Sequence, residues 1–227
     1  MRVVLKISGE SLSGNGCIDS LMLDRVLAQV KELSLDNEVI LVVGGGNFWR
    51  GRNDLDINKV VSDNIGMLAT VMNAMAISSY LNKCGVKSKC YGSFDIPGMI
   101  EKENVSSVLS DLSNKYVIVF GGGLGVPNLS TDMTTVSKAI SYNASYILMA
   151  KNVDGVYDKD PAKYPDAKRF DKISIDEVVE KQLGVIDLFA SCLLMEHRIP
   201  MRIFSLNEEN SISNSLTDKF NGTEVTI

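Results

Sequence analysis

Five short, mainly apolar runs are spaced along the chain, at positions 2–7, 39–43, 116–120, 146–149 and 201–204. They are rich in Val, Ile and Leu and show little alternation with polar residues. Such runs are typical of strands that are buried on both faces, as they are in parallel sheets. The pattern therefore predicts a mostly parallel sheet.

Helical periodicity fills several of the segments between these runs. Residues 20–33 place apolar side chains every three or four positions, and residues 63–81 do the same. Ser174 begins a capping-box pattern with Glu177, which predicts the start of a further helix. Helices that alternate with parallel strands cover both faces of a sheet, so the predicted class is α/β.

Two turn signals predict shorter elements in the second half of the chain. Asp154-Gly155 lies between Val153 and Val156 and predicts a hairpin, hence an antiparallel element after the fourth run. Asn221-Gly222 predicts a turn into a short closing strand. No Pro-, Ser- or Gly-rich linker divides the chain, so we expect one domain with two lobes.

The helix predicted at 63–81 is apolar over more than one face. We expect Leu68, Met72 and Met75 to face the core. Further apolar residues stand at other angles, namely Ile65, Met67, Val71 and Ile77. A helix buried on one side shows a single stripe, so the excess predicts contact with a second subunit. Residues 64–82 also carry Asn, Thr and Ser, which we interpret as too polar to span a membrane.

Composition narrows the function classes. The 23 basic and 28 acidic residues give a net charge of −5, and no cluster of Lys and Arg is present, which argues against nucleic-acid binding. The four cysteines have neither CxxC nor zinc-type spacing and are predicted to be free, buried thiols. The first residues form no signal-peptide pattern, so we expect a cytoplasmic protein.

Two glycine triplets, at 44–46 and 121–123, each follow directly on an apolar run. Ligands of open α/β sheets bind at the carboxyl ends of strands, where glycines let backbone N–H groups approach phosphate oxygens. One triplet serves equally well as a plain turn, but two at equivalent strand ends favour phosphate binding. Neither is a P-loop or dinucleotide fingerprint. Lys6 ends the first strand, where it either neutralises a transferred phosphoryl group or snorkels from an edge strand.

Other charged residues near these loops have both a structural and a chemical interpretation. Arg50 and Arg52 either bind phosphate or lie in a solvated loop, which is the favoured interpretation for Arg52. Asp63 is either a ligand contact or a helix N-cap, and Asp132 equally opens a helix. Asp187 lies among apolar neighbours and needs a polar partner.

Several motifs occur together and in order. They are Lys6-Ile7-Ser8-Gly9-Glu10, Gly44-Gly45-Gly46-Asn47, Arg50-Gly51, the segment 63–73, Ser130-Thr131-Asp132, and Val153-Asp154-Gly155-Val156-Tyr157 with Asp160-Pro161. The set resembles the bacterial UMP kinases (uridylate kinases) of the amino acid kinase superfamily over nearly the whole chain. The segment 66–73 is the part characteristic of UMP kinases.

The resemblance implies a three-layer αβα sandwich with a mostly parallel central sheet, forming a single amino acid kinase domain over residues 1–227. The N-terminal lobe, about residues 1–130, is then the UMP side, and the C-terminal lobe, about residues 131–227, is the ATP side. The implied activity is transfer of the γ-phosphate of ATP to UMP, a step of pyrimidine nucleotide biosynthesis.

The resemblance also implies site residues in three groups. The catalytic group is Lys6, Arg50, Asp132 and Asp187. Within it, Asp132 would orient the catalytic cations. The ATP-binding group is Lys6, Ile7, Ser8, Gly9, Gly46, Arg50, Lys151, Asn152, Tyr157 and Asp160. The UMP-binding group is Gly45, Asp63 at the ribose, Leu124, Gly125, Val126, Pro127, Asn128, Leu129, Ser130 and Thr131. Several relatives have Thr-Lys where this chain has Lys151-Asn152, so whether Lys151 supplies the second cation stays open.

Further implications concern cations and assembly. Mg²⁺ would bridge the phosphates of ATP. The chain would form a hexamer of three dimers, which GTP activates and UTP inhibits. The positions aligned with effector contacts hold Asn82, Lys89 and Lys115.

The acceptor phosphate of UMP is largely dianionic at neutral pH, since its second pKa is near ~6, and needs no general base. A site poor in histidine is therefore expected. The one histidine, His197, is predicted on the surface, because it lies in the charged helix end Glu196-His197-Arg198. Two alternatives stay open: a sister kinase that phosphorylates a carboxylate or carbamate, and a non-catalytic nucleotide sensor.

Overall fold

A computed structural model describes residues 1–14, 16–51 and 56–227, so the candidate Arg52 lies outside the described residues. The strands are β1 (Arg2–Ile7), β2 (Glu38–Val43), β3 (Ser88–Gly92), β4 (Glu101–Lys102), β5 (Val117–Gly121), β6 (Tyr146–Lys151), β7 (Val156–Tyr157), β8 (Arg169–Phe170), β9 (Lys172–Ser174), β10 (Met201–Ser205) and β11 (Thr223–Thr226). Nine of them form one sheet in the order β4-β3-β5-β2-β1-β6-β10-β11-β9. Neighbours in this sheet are parallel except β10 and β11, and β1 is the central strand.

Helices cover both faces of the sheet. Among the described residues they are α1 (Ser20–Asp36), α2 (Lys59–Lys83), α3 (Val105–Ser113), α4 (Thr131–Ser141), α5 (Ile175–Glu180) and α6 (Leu188–His197), with 3-10 turns at Gly9–Leu12 and Ser213–Leu216. One apolar cluster joins the sheet to α1 and α2, and a second joins its other face to α3, α4, α5 and α6. The predicted three-layer αβα sandwich is confirmed.

The five predicted strands are present, with ends that differ by at most two residues, and the closing strand is β11. The antiparallel element predicted after the fourth run is present, because β7 pairs antiparallel with β8. The hairpin turn predicted at Asp154-Gly155 is wrong, because the connection between these strands is the longer segment 158–168. The strand β3 was not predicted, because its Ser88 and Lys89 interrupt the apolar pattern. These residues are held in the sheet by backbone pairing with β5.

The long helix α2 begins earlier than predicted. Its N-cap is Asn58, whose side chain accepts the Val60 N–H at 2.9 Å. The interpretation of Asp63 as an N-cap is therefore wrong, since Asp63 lies in the second turn.

The face of α2 that packs on the sheet also differs from the prediction. Leu68 and Met72, expected in the core, are 48% and 46% exposed, whereas Val71 and Ile77 are buried. Both stripes of the helix are apolar, so periodicity alone does not say which one meets β3 and β5.

By length and apolar content alone, α2 is a described helix that could cross a membrane, which corrects the expectation that it is too polar. One such helix is weak evidence, because the core helices of soluble proteins pass the same test. Here α2 packs on β5 and β3.

The cysteines are free, as predicted, but their predicted burial is wrong. Cys17, Cys84 and Cys192 are exposed and Cys90 is half-buried. The exposed three lie outside the sheet, in a loop, at the C-cap of α2 and on α6. His197 is exposed in the last turn of α6, as predicted.

Candidate active site

Lys6 and Lys151 lie on the same face of the sheet at its carboxyl edge. In β1, Val4 packs toward the layer of α3 to α6, and the two-residue alternation of a strand turns Lys6 to that side as well. In β6 the same alternation groups Met149 with Lys151. Lys6 is in register with Met149, and Lys151 lies two residues further along β6. Lys151 is therefore the diagonal neighbour of Lys6 on the same face of the sheet.

Asp132, in the first turn of α4, lies between the two ammonium groups. Its Oδ1 is 3.4 Å from Lys6 Nζ and its Oδ2 is 2.8 Å from Lys151 Nζ. The three side chains are only 12% (Lys6 and Asp132) and 16% (Lys151) exposed. Lys151 Nζ also donates to the carbonyl of Val185. The cluster holds two positive charges and one negative charge in a largely dry place.

Burial and ionic contacts act against each other in this cluster. Burial lowers the pKa of Lys6 below its ordinary 10.5, and the charge of Lys151 adds to this, while Asp132 acts to raise it. Burial alone would raise the pKa of Asp132, but the two lysines outweigh it and the pKa lies below 3.8. Asp132 is therefore ionised at neutral pH, and the cluster is poised to bind an anion.

The turn after β1 packs closely against the loop after β2. A Cβ at Gly9 would lie 2.6 Å from the carbonyl oxygen of Gly44, so this approach requires glycine. In the same turn Glu10 Oε1 is 3.0 Å from Arg50 Nη2, and Asn152 Nδ2 donates to Glu10 Oε2 at 3.4 Å. The Arg50 side chain is 60% exposed, so its guanidinium is accessible to a ligand.

The other two residues predicted on the ATP side of this turn have different surroundings. Ile7 is fully buried in the core with α1 and α2, and its carbonyl accepts the Gly44 N–H at 2.9 Å. Only the backbone of Ile7 reaches the site. Ser8 precedes the 3-10 turn and donates its hydroxyl to Ser11 Oγ at 3.1 Å.

A cavity of about 510 Å³ opens beside the first glycine triplet, α2 and the start of α4. Of the predicted UMP-side residues, it is lined by Gly45, Asp63, Val126, Leu129, Ser130 and Thr131. Four others are not among its lining residues, namely Leu124, Gly125, Pro127 and Asn128. Gly46, predicted on the ATP side, also lines it. The remaining lining residues were not predicted as part of the site; they are Trp49, Gly51, Ser62, Gly66, Met67, Thr70, Gly123 and Thr134. Four of these belong to α2, and the segment 66–73 was the signal for three of them, Gly66, Met67 and Thr70.

Asp63 is tied to the loop that closes this cavity. Its Oδ2 accepts the Asn128 N–H at 2.9 Å and lies 3.0 Å from Lys59 Nζ. Burial acts to raise the pKa of Asp63, but the hydrogen bonds from Lys59 and Asn128 outweigh it, and the pKa is below its usual value. Asn128 thus contributes its backbone to the site through Asp63.

A second cavity of about 460 Å³ follows β6. Its lining residues are Val153, Gly155, Val156, Tyr157, Asp158, Lys159, Asp160, Pro161, Lys181, Gln182, Leu183, Gly184 and Val185. Tyr157 and Asp160, both predicted on the ATP side, line this cavity. Tyr157 donates its hydroxyl to Asp154 Oδ1 at 2.8 Å. The segment 181–185 was not predicted to be part of the site, because the sequence there carries no motif.

Asp187 is the N-cap of α6, and its partner is another helix cap. Its Oδ1 accepts the Ala190 N–H at 2.9 Å, and its Oδ2 accepts the hydroxyl of Ser130, the N-cap of α4. The polar partner expected for Asp187 is thus present. Since α4 carries Asp132, this contact joins Asp187 to the cluster of Lys6, Asp132 and Lys151 through the start of a helix. A catalytic role for Asp187 stays a prediction.

Comparison with known proteins identifies relatives along the whole chain. The sequence profile of the Amino acid kinase family matches residues 1–205. A uridylate kinase of Mannheimia succiniciproducens is 40% identical over 227 residues, which cover 98% of this chain and 96% of that protein. The crystal structure of UMP kinase from Ureaplasma parvum matches with a TM-score of 0.95 and 32% identity, over 100% of this chain and 98% of that one. UMP kinase from Bacillus anthracis matches with a TM-score of 0.94 and 30% identity, over 99% and 95%.

Proposed function

The chain belongs to the amino acid kinase family and, within it, to the uridylate kinases, and we propose that the site described above transfers the γ-phosphate of ATP to UMP, giving ADP and UDP. The observation that carries the proposal is the cluster of Lys6, Asp132 and Lys151. Thr131, beside Asp132, lines the first cavity, and Val185, which accepts a hydrogen bond from Lys151, lines the second. The cluster is therefore flanked by both cavities.

The two cavities suit the two substrates. We assign UMP to the cavity with Asp63, because a carboxylate there can accept hydrogen bonds from a ribose diol. We assign the adenine and ribose of ATP to the cavity with Tyr157 and Asp160. The phosphates then meet at the glycine-lined strand ends, beside Lys6 and Arg50. The first cavity adjoins the N-terminal lobe (1–130), which we therefore propose as the UMP side. The second cavity lies in the C-terminal lobe (131–227), which we propose as the ATP side.

Charge neutralisation is the main chemical task of these residues. Phosphoryl transfer spreads negative charge over the equatorial oxygens of the moving group, so catalysis consists mostly of positioning and electrostatic stabilisation. Lys6 and Lys151 supply fixed positive charge in a place with little water, and Asp132 holds both ammonium groups in position. The UMP phosphate attacks as a dianion, which agrees with a site that uses no histidine.

Mg²⁺ fits this arrangement as a companion of ATP. Among the described residues, no three His, Cys, Asp or Glu side chains are grouped as a metal cage. Since Mg²⁺ is commonly held by one or two carboxylates together with substrate phosphates, Asp132 is the residue we propose to face it. The ion would neutralise charge on the β- and γ-phosphates.

The alternatives have less support. A kinase acting on a carboxylate or carbamate needs a cation at the acceptor, but among the described residues that line the first cavity the charged one is the anionic Asp63. A non-catalytic sensor gives less reason to bury Lys6 and Lys151 together, because burying two ammonium groups costs stability and such clusters are typical of catalytic sites.

We further propose a homo-oligomer built from dimers, with a hexamer as the total. The support is an exposed apolar stretch on α2, where Val60, Val61, Leu68 and Met72 are between 46% and 48% exposed. Regulation by GTP and UTP stays a prediction. Asn82 and Lys89 are engaged within the chain, by Ser88 and Asp111 respectively. Cytoplasmic location also stays a prediction.

The test of the function is a coupled assay of ADP release from Mg·ATP with UMP, CMP or N-acetylglutamate as the acceptor. We expect turnover with UMP to exceed that with CMP by about tenfold or more, and none with N-acetylglutamate. Turnover with N-acetylglutamate but not with UMP would overturn the proposal.

A further inference from the structure

Two buried polar residues lie one turn apart on the face of α2 that packs against the sheet. Asn73 is 0% and Thr70 is 7% exposed, and neighbours such as Ala74 and Ile77 are apolar and fully buried. A buried amide in the middle of a core helix persists only when its hydrogen bonds are made. The partners of both residues are the two glycine loops of the site.

Asn73 holds the first glycine loop. Its Nδ2 donates to the carbonyl of Gly44 at 2.7 Å and to Asn47 Oδ1 at 2.7 Å, and its Oδ1 accepts from Asn47 Nδ2 at 2.9 Å. Asn47 Nδ2 also donates to the Cys17 carbonyl at 2.6 Å. A Cβ at Gly9 would lie 2.5 Å from Asn47 Oδ1, so the turn after β1 rests directly on this amide pair.

Thr70 holds the second glycine loop. Its Oγ1 accepts the Gly122 N–H at 2.7 Å and donates to the Met67 carbonyl at 2.7 Å. Gly122 has φ of +81°, a left-handed conformation that favours glycine and that orients its N–H toward the helix. The hydroxyl thus fixes the point at which the chain leaves β5.

We propose that Thr70 and Asn73 are positioning residues that set the distance between the two glycine loops by fastening both to one turn of α2. This inference rests on the proposed function, in which the loops cradle phosphates on either side of the transferred group. Neither residue needs to touch the reacting atoms. Asn73 acts through Asn47 and Gly44, and Thr70 acts through Gly122.

Because each residue contacts a different loop, a positioning role can be distinguished from a contribution to overall stability alone. If the two merely satisfied buried polar groups, their removal would lower stability and leave the folded site unchanged. If they position the loops, each variant loosens its own loop and not the other one. Two variants and two loops therefore make a crossed experiment.

Amide hydrogen exchange of the nucleotide-free chain reads the loops without relying on activity. In Asn73→Ala we expect amides of residues 44–49 to exchange about tenfold faster or more, with residues 121–125 within about threefold of wild type. In Thr70→Val, which keeps the side-chain shape, we expect the reverse. Leu81→Ala, a fully buried change on the same helix far from the loops, is the control for lost stability. If Asn73→Ala does not fold, Asn47→Ala removes the same amide pair from the loop side.

Single-turnover kinetics complete the test. Asn73→Ala is expected to lower the rate at saturating ATP and UMP by about tenfold to a hundredfold, with KM values within about threefold, since small misplacements of reacting groups cost this much. Leu81→Ala should keep the wild-type rate once folded. Equal acceleration of exchange in both loops by both variants, or a rate loss no greater than that of Leu81→Ala, would overturn the inference. A wild type without UMP-dependent turnover refutes the proposed function instead, because the exchange result stands apart from it.

Discussion

Replacing Lys6 with methionine removes one charge from the active site and keeps most of the side-chain volume. Lys6 lies on the central strand, 12% exposed, with its Nζ 3.4 Å from Asp132 Oδ1. Asp132 keeps its second partner, Lys151, at 2.8 Å. The variant therefore tests the charge of Lys6 without leaving a buried carboxylate unpaired.

The size of the effect follows from the geometry. A unit charge as close to a phosphoryl oxygen as Lys6 Nζ is to Asp132 Oδ1, at 3.4 Å, would interact with it by about 5 kcal/mol at an effective dielectric of about 20. If most of this acts on charge that develops in the transition state, its loss raises the barrier by about 4 kcal/mol, or about 10³-fold in rate. We expect stability to change by less than about 1.5 kcal/mol, because the lost ion pair is offset by the lost cost of burying the ammonium group.

Single-turnover phosphoryl transfer at saturating ATP and UMP measures the rate, and thermal unfolding of the same samples measures stability. The matched control is Lys172→Met, because Lys172 is 68% exposed on the edge strand β9 and should behave as wild type in both assays. A folded Lys6→Met protein within about tenfold of the wild-type rate would refute the role given to Lys6. A shift in Tm well beyond about 6 °C would instead refute the stability argument.

Three further changes test other parts of the site and the assembly. Asp63→Asn should raise the KM for UMP roughly 10- to 100-fold, from the loss of about 1.5–3 kcal/mol, and leave the KM for ATP unchanged in steady-state assays; an equal rise for both would place Asp63 outside the UMP site. Because the pKa of Asp132 is lowered on folding, its stabilising contribution is complete above the unfolded value of 3.8 and is lost as the pH falls through the folded pKa. In urea unfolding, the difference in the free energy of unfolding between wild type and Asp132→Asn should thus stay constant above about pH 5 and shrink below pH 3.8. A difference that grows in acid would contradict the lowered pKa of Asp132. Leu68→Glu should dissociate the oligomer in light scattering and leave a folded chain, whereas Ile77→Glu should unfold it at a cost of several kcal/mol; a monomeric wild type would reject the interface.

The local sequence pattern was sufficient to predict elements that depend on residues close together in the chain. The apolar runs predicted the five main strands to within one or two residues, because strands buried on both faces need continuous apolar sequence. The glycine triplets and Lys6 marked the carboxyl edge of the sheet, because they stand where these apolar runs end. The polar strand β3 was missed, since its place depends on pairing with β5, a segment distant in sequence.

Tertiary packing determines which of the two apolar faces of α2 is buried. Periodicity identified a long apolar helix, but burial of Val71 and Ile77, and exposure of Leu68 and Met72, depend on which stripe fits the sheet. Of the two interpretations of Asp63, the N-cap is wrong: Asp63 lies in the second turn, because the helix begins earlier, at a cap formed by Asn58.

The sequence by itself determined the class of the fold, the strand ends that carry the chemistry and the identity of Lys6 and Asp132 as candidates. Only the tertiary structure decided that Lys151 completes their cluster, since the register of β1 and β6 sets which residues are neighbours across strands. The same holds for Asn73, which looks like a helix residue in the sequence and proves to hold a loop 29 residues away. Such contacts join distant segments, and their geometry follows from packing and register, which no local pattern of residues contains.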